Sequence, residues 1–169
     1  MLIDGRSGSG KTELAMAFIA AHPRWQLVSL DELYPGWGGL EAGSAAVPEL
    51  LESRRYRRWD WAGSRPSDWV TLDETRPILI EGCGALSRAN RGLATSGVWV
   101  SLDAGSRRER ATTRDAGAYD EHWEEWARQE EAFIARENPA ALADLVIDGG
   151  EPIARALSSF ARLSARVVE

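Results

Sequence analysis

The sequence predicts an α/β fold built on a mostly parallel sheet, and three observations predict it. Five apolar β-type runs alternate with helical stretches along the 169 residues, the pattern of strands joined by crossover helices. The second and third runs close on carboxylates, Asp31 and Glu81. In an open parallel sheet that edge is where ligands sit. The first run passes through a glycine-rich turn, Gly5-Arg6-Ser7-Gly8-Ser9-Gly10-Lys11-Thr12, directly into the first helix.

Taken in order, strand one is Leu2-Ile3-Asp4, so short that it points to a start further upstream or to a thin sheet edge. A helix follows over 11–21, with Leu14, Phe18 and Ile19 on one stripe, and His22-Pro23 ends it. Strand two is Gln26 to Leu30. Residues 34–44 carry Pro35-Gly36-Trp37-Gly38-Gly39 and read as a loop. A helix near 44–54 precedes an irregular aromatic stretch that runs to about residue 72. Pro77-Ile78-Leu79-Ile80-Glu81 is apolar up to its charged end, as a buried parallel strand should be. Val98 to Asp103 is the fourth strand. Residues 106–137 form two charged helices broken near Gly117. Leu145 to Asp148 is the fifth strand, and an amphipathic helix over 152–166 closes the chain.

Composition narrows the function. Nineteen of the 20 basic residues are arginine, and the single lysine is Lys11. Coding bias accounts for the arginine excess but not for where the lysine sits. A net charge of −6 argues against nucleic acid as a partner, which needs a basic face. One cysteine, Cys83, cannot form an internal disulfide and suits a reducing cytoplasm. No apolar run reaches the ~18–20 residues of a membrane span, and the N-terminus lacks the features of a leader peptide. The length suits one domain over 1–169, as a monomer or homodimer.

The turn at 5–12 fits G-x-x-x-x-G-K-[ST], the P-loop. Its glycines let successive N–H groups point inward at phosphate oxygens, and the helix that follows offers a positive dipole end. Gly5, Arg6, Ser7, Gly8, Ser9, Gly10, Lys11 and Thr12 are therefore the expected ATP cradle, with Lys11 on the β- and γ-phosphates and the Thr12 hydroxyl on Mg²⁺. A guanine-reading N-K-x-D cannot occur, because the only lysine is already in the loop.

Further residues follow from the same chemistry. Of Asp31 and Glu81, one carboxylate can take the proton of an attacking hydroxyl and the other can orient Mg²⁺. Arg107, Arg110 and Arg114 recur at i, i+3 and i+7 on one helix face, where three cations repel unless an anion lies between them. That predicts a phosphate-clamping lid around 104–118. Trp59-Asp60-Trp61, with Tyr34 and Trp37, combines stacking surfaces with polar tips suited to a flat or sugar-like acceptor. If 59–61 is extended, both indoles face one way and Asp60 the other. His122, Trp123 and Trp126 read as packing on a helix with a solvated acidic face, and Cys83, without a histidine close in sequence, is not expected to be a nucleophile.

Together these residues resemble the uridine kinase-like branch of the P-loop nucleoside and nucleotide kinases. Asp31-Glu32-Leu33-Tyr34 is similar to that family's D-x-x-Y element, Glu81-Gly82 to its E-G, and Arg107, Arg110, Arg114 and Asp115 to its lid pattern. Trp59-Asp60-Trp61 with Ser64-Arg65 resembles its Y-D-[FW]…S-R acceptor segment, although this stretch has no histidine and is one residue shorter. The resemblance implies a three-layer α/β/α fold, a five-stranded parallel sheet ordered 2-3-1-4-5 and a helical lid. It implies Asp31 as general base, Glu81 as metal or site carboxylate, and Arg110 and Arg114 closing over the phosphates. Tyr34, Trp37, Trp59, Asp60 and Arg65 would line the acceptor pocket, and residues 148–151 would border the adenine.

The expected activity is phosphoryl transfer from ATP, with Mg²⁺, to the hydroxyl of a small molecule, in which Lys11, Asp31, Arg110 and Arg114 do the chemistry. The acceptors open to this chemistry are a nucleoside, a sugar, a vitamin, a nucleoside monophosphate or an antibiotic. A nucleotide-binding regulatory ATPase is the alternative from another class.

Overall fold

The computed structural model describes residues 1–115 and 120–165; the side chains at 114, 115, 120, 161, 164 and 165 fall outside that description. Seven strands and seven α-helices are described: β1 (Leu2–Gly5), α1 (Lys11–Ala21), β2 (Gln26–Ser29), α2 (Leu40–Ser53), β3 (Arg55–Asp60), β4 (Arg65–Thr71), β5 (Ile78–Glu81), α3 (Arg88–Leu93), β6 (Gly97–Ser101), α4 (Ala104–Asp115), α5 (Trp123–Glu137), α6 (Pro139–Leu142), β7 (Leu145–Asp148) and α7 (Ile153–Ala165). Short 3₁₀ turns cover Leu30–Glu32 and Asp120–His122. The break expected near Gly117 lies outside the described residues.

Five strands form one sheet in the order β2-β5-β1-β6-β7, and every pairing in it is parallel. By sequence numbering this differs from the expected 2-3-1-4-5. The difference comes from β3 and β4, which stand outside the sheet as an antiparallel hairpin. That hairpin replaces the irregular stretch expected over 55–72. Its alternation is hidden because both faces are largely solvated: Arg55, Arg57, Arg58 and Trp69 are exposed and Tyr56 is buried. The first strand, short as it is, lies in the middle of the sheet and not at an edge.

Alternation along the strands sorts the apolar residues into two layers. Ile3, Leu79, Val98, Val100 and Ile147 face α1 and α7, where they meet Leu14, Ala15, Phe18, Ala156 and Phe160. Phe18 and Phe160 touch across that layer with ring centroids 4.5 Å apart. Leu2, Val28, Ile78 and Ile80 face the other way, onto Leu40, Val47 and Leu50 of α2 and Trp126 and Phe133 of α5. The result is three layers, α/β/α, with the carboxyl ends of β1, β2 and β5 side by side.

Candidate active site

The turn between β1 and α1 is shaped by backbone that only glycine adopts freely. Gly8 and Gly10 have φ of 78° and 95°, in the left-handed region. A Cβ at Gly8 would also run into the Arg107 carbonyl, and one at Gly149, after β7, into the Ser9 carbonyl. The loop is thus pressed between the starts of α4 and α7. Above it lies a cleft of about 810 Å³ lined by Gly8, Gly10, Lys11, Thr12, Ser106, Glu109 and Arg110. Asp148, Gly149 and Glu151, the expected adenine border, line an adjoining cavity of about 120 Å³ together with Gly10 and Arg110.

Lys11 and Thr12 open α1 beside the strand-end carboxylates. Glu81 is 1 % exposed and accepts hydrogen bonds from Thr12 Oγ1 at 3.0 Å and Ser29 Oγ at 2.6 Å. Burial pushes its carboxyl above the usual range, against the pull of the Lys11 charge and the two hydroxyls. Burial also opposes the Lys11 ammonium, but the acidic groups around it, Cys83, Glu81, Asp31 and Glu130, outweigh that and raise its pKa. Asp31, in the 3₁₀ turn after β2, is exposed. A Mg²⁺ ion prefers hard oxygen ligands and keeps waters of its own. The Thr12 hydroxyl and the Glu81 carboxylate, already in contact, fit that requirement. Among the described residues no cluster of three or more His, Cys, Asp or Glu could by itself hold a metal, so phosphate oxygens would complete the set.

Beside Asp31 the aromatic residues assemble. Trp61 Nε1 donates to the Asp31 backbone oxygen at 2.8 Å, and its ring lies 5.0 Å from Trp37. His122 stacks on Trp37 at 4.3 Å and 15°, and Trp126 meets Trp37 edge-on at 6.5 Å. Trp61 is one of the stacking residues the sequence suggests, whereas His122 is not. His122 belongs to the segment read as mere helix packing, and only its contact with the Pro35–Gly39 loop, far away in sequence, brings it here.

Several expected site residues are placed elsewhere. Tyr34 is buried: its hydroxyl donates to the Cys83 carbonyl at 2.7 Å and its ring packs on Trp126, so it supports the site from behind. Trp59 sits within β3 opposite Pro66. Asp60 accepts the Gly63 N–H at 2.9 Å and pairs with the exposed Arg65 at 3.6 Å, closing the hairpin turn. The extended 59–61 geometry stops at Asp60, where β3 ends. Arg6 turns away from the cleft to Glu130, Glu131 and the Ala127 carbonyl. Arg107 is buried under the loop and not on its phosphate side. Arg110 reaches the Gly149 carbonyl at 2.9 Å at the cleft rim, so in this structure the Arg107 and Arg110 guanidinium groups bond to different backbone carbonyls. The side chain of Arg114 lies outside the described residues.

Two buried carboxylates were missed. Asp4, at the end of β1, accepts N–H bonds from Gly5, Gly84 and Leu86; burial pushes its pKa up to about 7, against those donors and Lys11. Glu130 of α5 lies behind the P-loop. Cys83, beside it, has a thiol that burial pushes up to about 12, far from a reactive thiolate.

No family model matches the chain, and no curated protein matches it in sequence. Solved structures do match in fold. A gluconokinase from Sinorhizobium meliloti 1021 aligns with a TM-score of 0.60 at 19 % identity, over 99 % of this chain and 94 % of its own. The chain has the fold of the P-loop kinases. A shikimate kinase from Bacteroides thetaiotaomicron gives a TM-score of 0.59 at 15 % identity, over 97 % of both chains. A protein described as a possible uridine kinase from Bacillus stearothermophilus gives 0.58 at 21 % identity, over 87 % of this chain and 86 % of its own. Among the described residues no helix is long and apolar enough to cross a membrane.

Proposed function

We propose that the chain is an ATP-dependent small-molecule kinase that passes the γ-phosphate to an acceptor hydroxyl. The observation that carries this reading is the contact of Thr12 with the Glu81 carboxylate, with Lys11 under the field of both Glu81 and Asp31. A P-loop that only bound nucleotide would need no exposed carboxylate at the neighbouring strand end. The three solved structures of like fold reported above are described as a gluconokinase, a shikimate kinase and a possible uridine kinase, and the reading takes its reaction class from them.

Each residue then has a role. The P-loop amides and Lys11 cradle the phosphates and offset the charge that builds on the transferring group. Thr12 and Glu81 would hold Mg²⁺, which would supply charge neutralisation on the phosphates. Asp31 orients the acceptor hydroxyl and takes its proton as its oxygen bonds to the γ-phosphorus, while the bond from that phosphorus to the β–γ bridging oxygen breaks and ADP leaves. Arg110, and Arg114 from the sequence pattern, close the phosphate side. Trp37, Trp61 and His122 offer stacking faces next to Asp31, which favours a nucleoside or sugar over an aliphatic acceptor. The lone, buried cysteine agrees with a cytoplasmic setting.

The test is ADP release with ATP, Mg²⁺ and a panel of nucleosides, sugars and amino-alcohol antibiotics. Stimulation by one class and its loss in Asp31→Asn is the expected result. ADP release that no compound stimulates, and that Asp31→Asn leaves unchanged, would favour the regulatory ATPase.

A further inference from the structure

We infer that Glu130 and Arg107 are positioning residues that set the two peptide planes at the start of the P-loop before nucleotide arrives. The inference rests on the nucleotide-binding part of the reading above.

Glu130 is 3 % exposed and Arg107 is 4 % exposed. They come from α5 and α4, on opposite sides of residues 116–119 in sequence. Glu130 Oε1 accepts the Ser7 N–H at 2.6 Å, and Oε2 accepts Arg6 Nε at 2.8 Å. Arg107 Nη1 donates to the Ser7 carbonyl at 3.3 Å, while its Nε is anchored on the Leu102 carbonyl at 3.2 Å. Both polar groups of Ser7's backbone are thus held, one by each helix.

A trans peptide is planar, and its C=O and N–H point in opposite directions. Fixing the Ser7 N–H on Glu130 turns the Arg6 carbonyl the other way, where it accepts the Ser9 N–H at 3.0 Å. Fixing the Ser7 carbonyl on Arg107 turns the Gly8 N–H away from Arg107, and Gly8 lines the nucleotide cleft. Two successive planes are thereby oriented, and the second governs a donor at the cleft. A glycine loop left to itself samples many conformations; pinning it removes an ordering cost that phosphate binding would otherwise carry. The charges agree, since a buried carboxylate needs partners and Glu130 pairs with the Arg6 guanidinium at 2.8 Å. A carboxylate serving only to join α5 to the core would have no reason to spend its bonds on residues 6 and 7.

The experiment is calorimetric titration of ADP with Mg²⁺ into wild type, Glu130→Gln, Arg107→Gln, Arg107→Lys and the double variant Glu130→Gln/Arg107→Gln, with melting temperatures alongside. Glu41→Gln, an exposed carboxylate paired with Arg136, controls for net charge. Each Gln variant should weaken ADP about 10-fold, the scale of one charge-assisted hydrogen bond. The double variant should lose less than the product, because both pins serve one loop, and Arg107→Lys should recover part of the loss. Wild-type ADP affinity in both Gln variants, with only the melting temperature lowered, would overturn the inference. If Glu130→Gln does not fold, the contrast between Arg107→Lys and Arg107→Gln decides. A wild type that binds ADP but phosphorylates no acceptor refutes the kinase reading and leaves this test intact.

Discussion

The indole N–H of Trp61 donates a 2.8 Å hydrogen bond to the backbone oxygen of Asp31. That one bond ties the tip of the β3–β4 hairpin to the turn that carries the proposed base. Trp61→Phe keeps a ring against Trp37 but loses the donor. A neutral hydrogen bond is worth ~0.5–1.5 kcal/mol, so the acceptor KM should rise roughly 2- to 10-fold with the KM for ATP unchanged. Steady-state kinetics with each substrate varied in turn separates the two, and a change confined to ATP would contradict the assignment.

Asp31→Asn keeps the side chain's shape and removes its basicity. A positioned general base contributes about 10²–10⁴-fold. The variant should lose kcat on that scale and still bind ADP as wild type does. Loss of ADP binding instead would place Asp31 on the nucleotide side.

Lys11 is the only lysine in the chain, so apart from the α-amino group a lysine-directed reagent has one target. It should abolish nucleotide binding, and ATP should protect. Lys11→Arg should fail too, because a planar fork replaces a point charge in a closed cradle. Full ATP binding by Lys11→Arg would refute the assigned role.

Asp4 makes stability depend on pH. Its carboxyl titrates near 4 when unfolded and about 7 when folded, so between those values the folded state binds more protons. Its contribution is therefore fully present below about pH 4 and is lost as pH rises towards about 7. Urea melts of wild type and Asp4→Asn at pH 4.5 and pH 8 should show the wild type losing ground relative to the variant at the higher pH. An equal gap at both values would show that burial does not perturb Asp4.

Phe160 of α7 is fully buried against Phe18. Phe160→Ala should cost about 3–5 kcal/mol, the range for a large core residue cut to alanine, measured as a shift in the urea midpoint. A loss below about 1 kcal/mol would mean that α7 contributes little to that layer.

Where the sequence is periodic or carries a motif, it speaks for the structure. The parallel strands are uniform apolar runs, and the P-loop spacing has few other meanings. The β3–β4 hairpin was illegible because its strands bury little and its turn at Trp61–Ser64 lacks an Asn-Gly signal. Arg107 and Glu130 were legible as charges but not as buried ones. A helix carrying Glu124, Glu125, Glu130 and Glu131 reads as a solvated face until the P-loop is seen to occupy one side of it. Tyr34 was read with its neighbours as pocket lining, whereas its hydroxyl is satisfied by a carbonyl that only the folded chain brings near.

The contact of Trp37 with Trp61 and His122 has an optical consequence. Two indoles 5.0 Å apart exchange excitation, and a stacked imidazole alters their emission, more strongly once protonated. Any acceptor that slides between these rings must change that coupling. The chain therefore carries its own label for substrate arrival, to be read as a change in tryptophan fluorescence or near-ultraviolet dichroism without any dye. Trp69, exposed on the far strand of the hairpin, supplies an emission that the same event should leave alone.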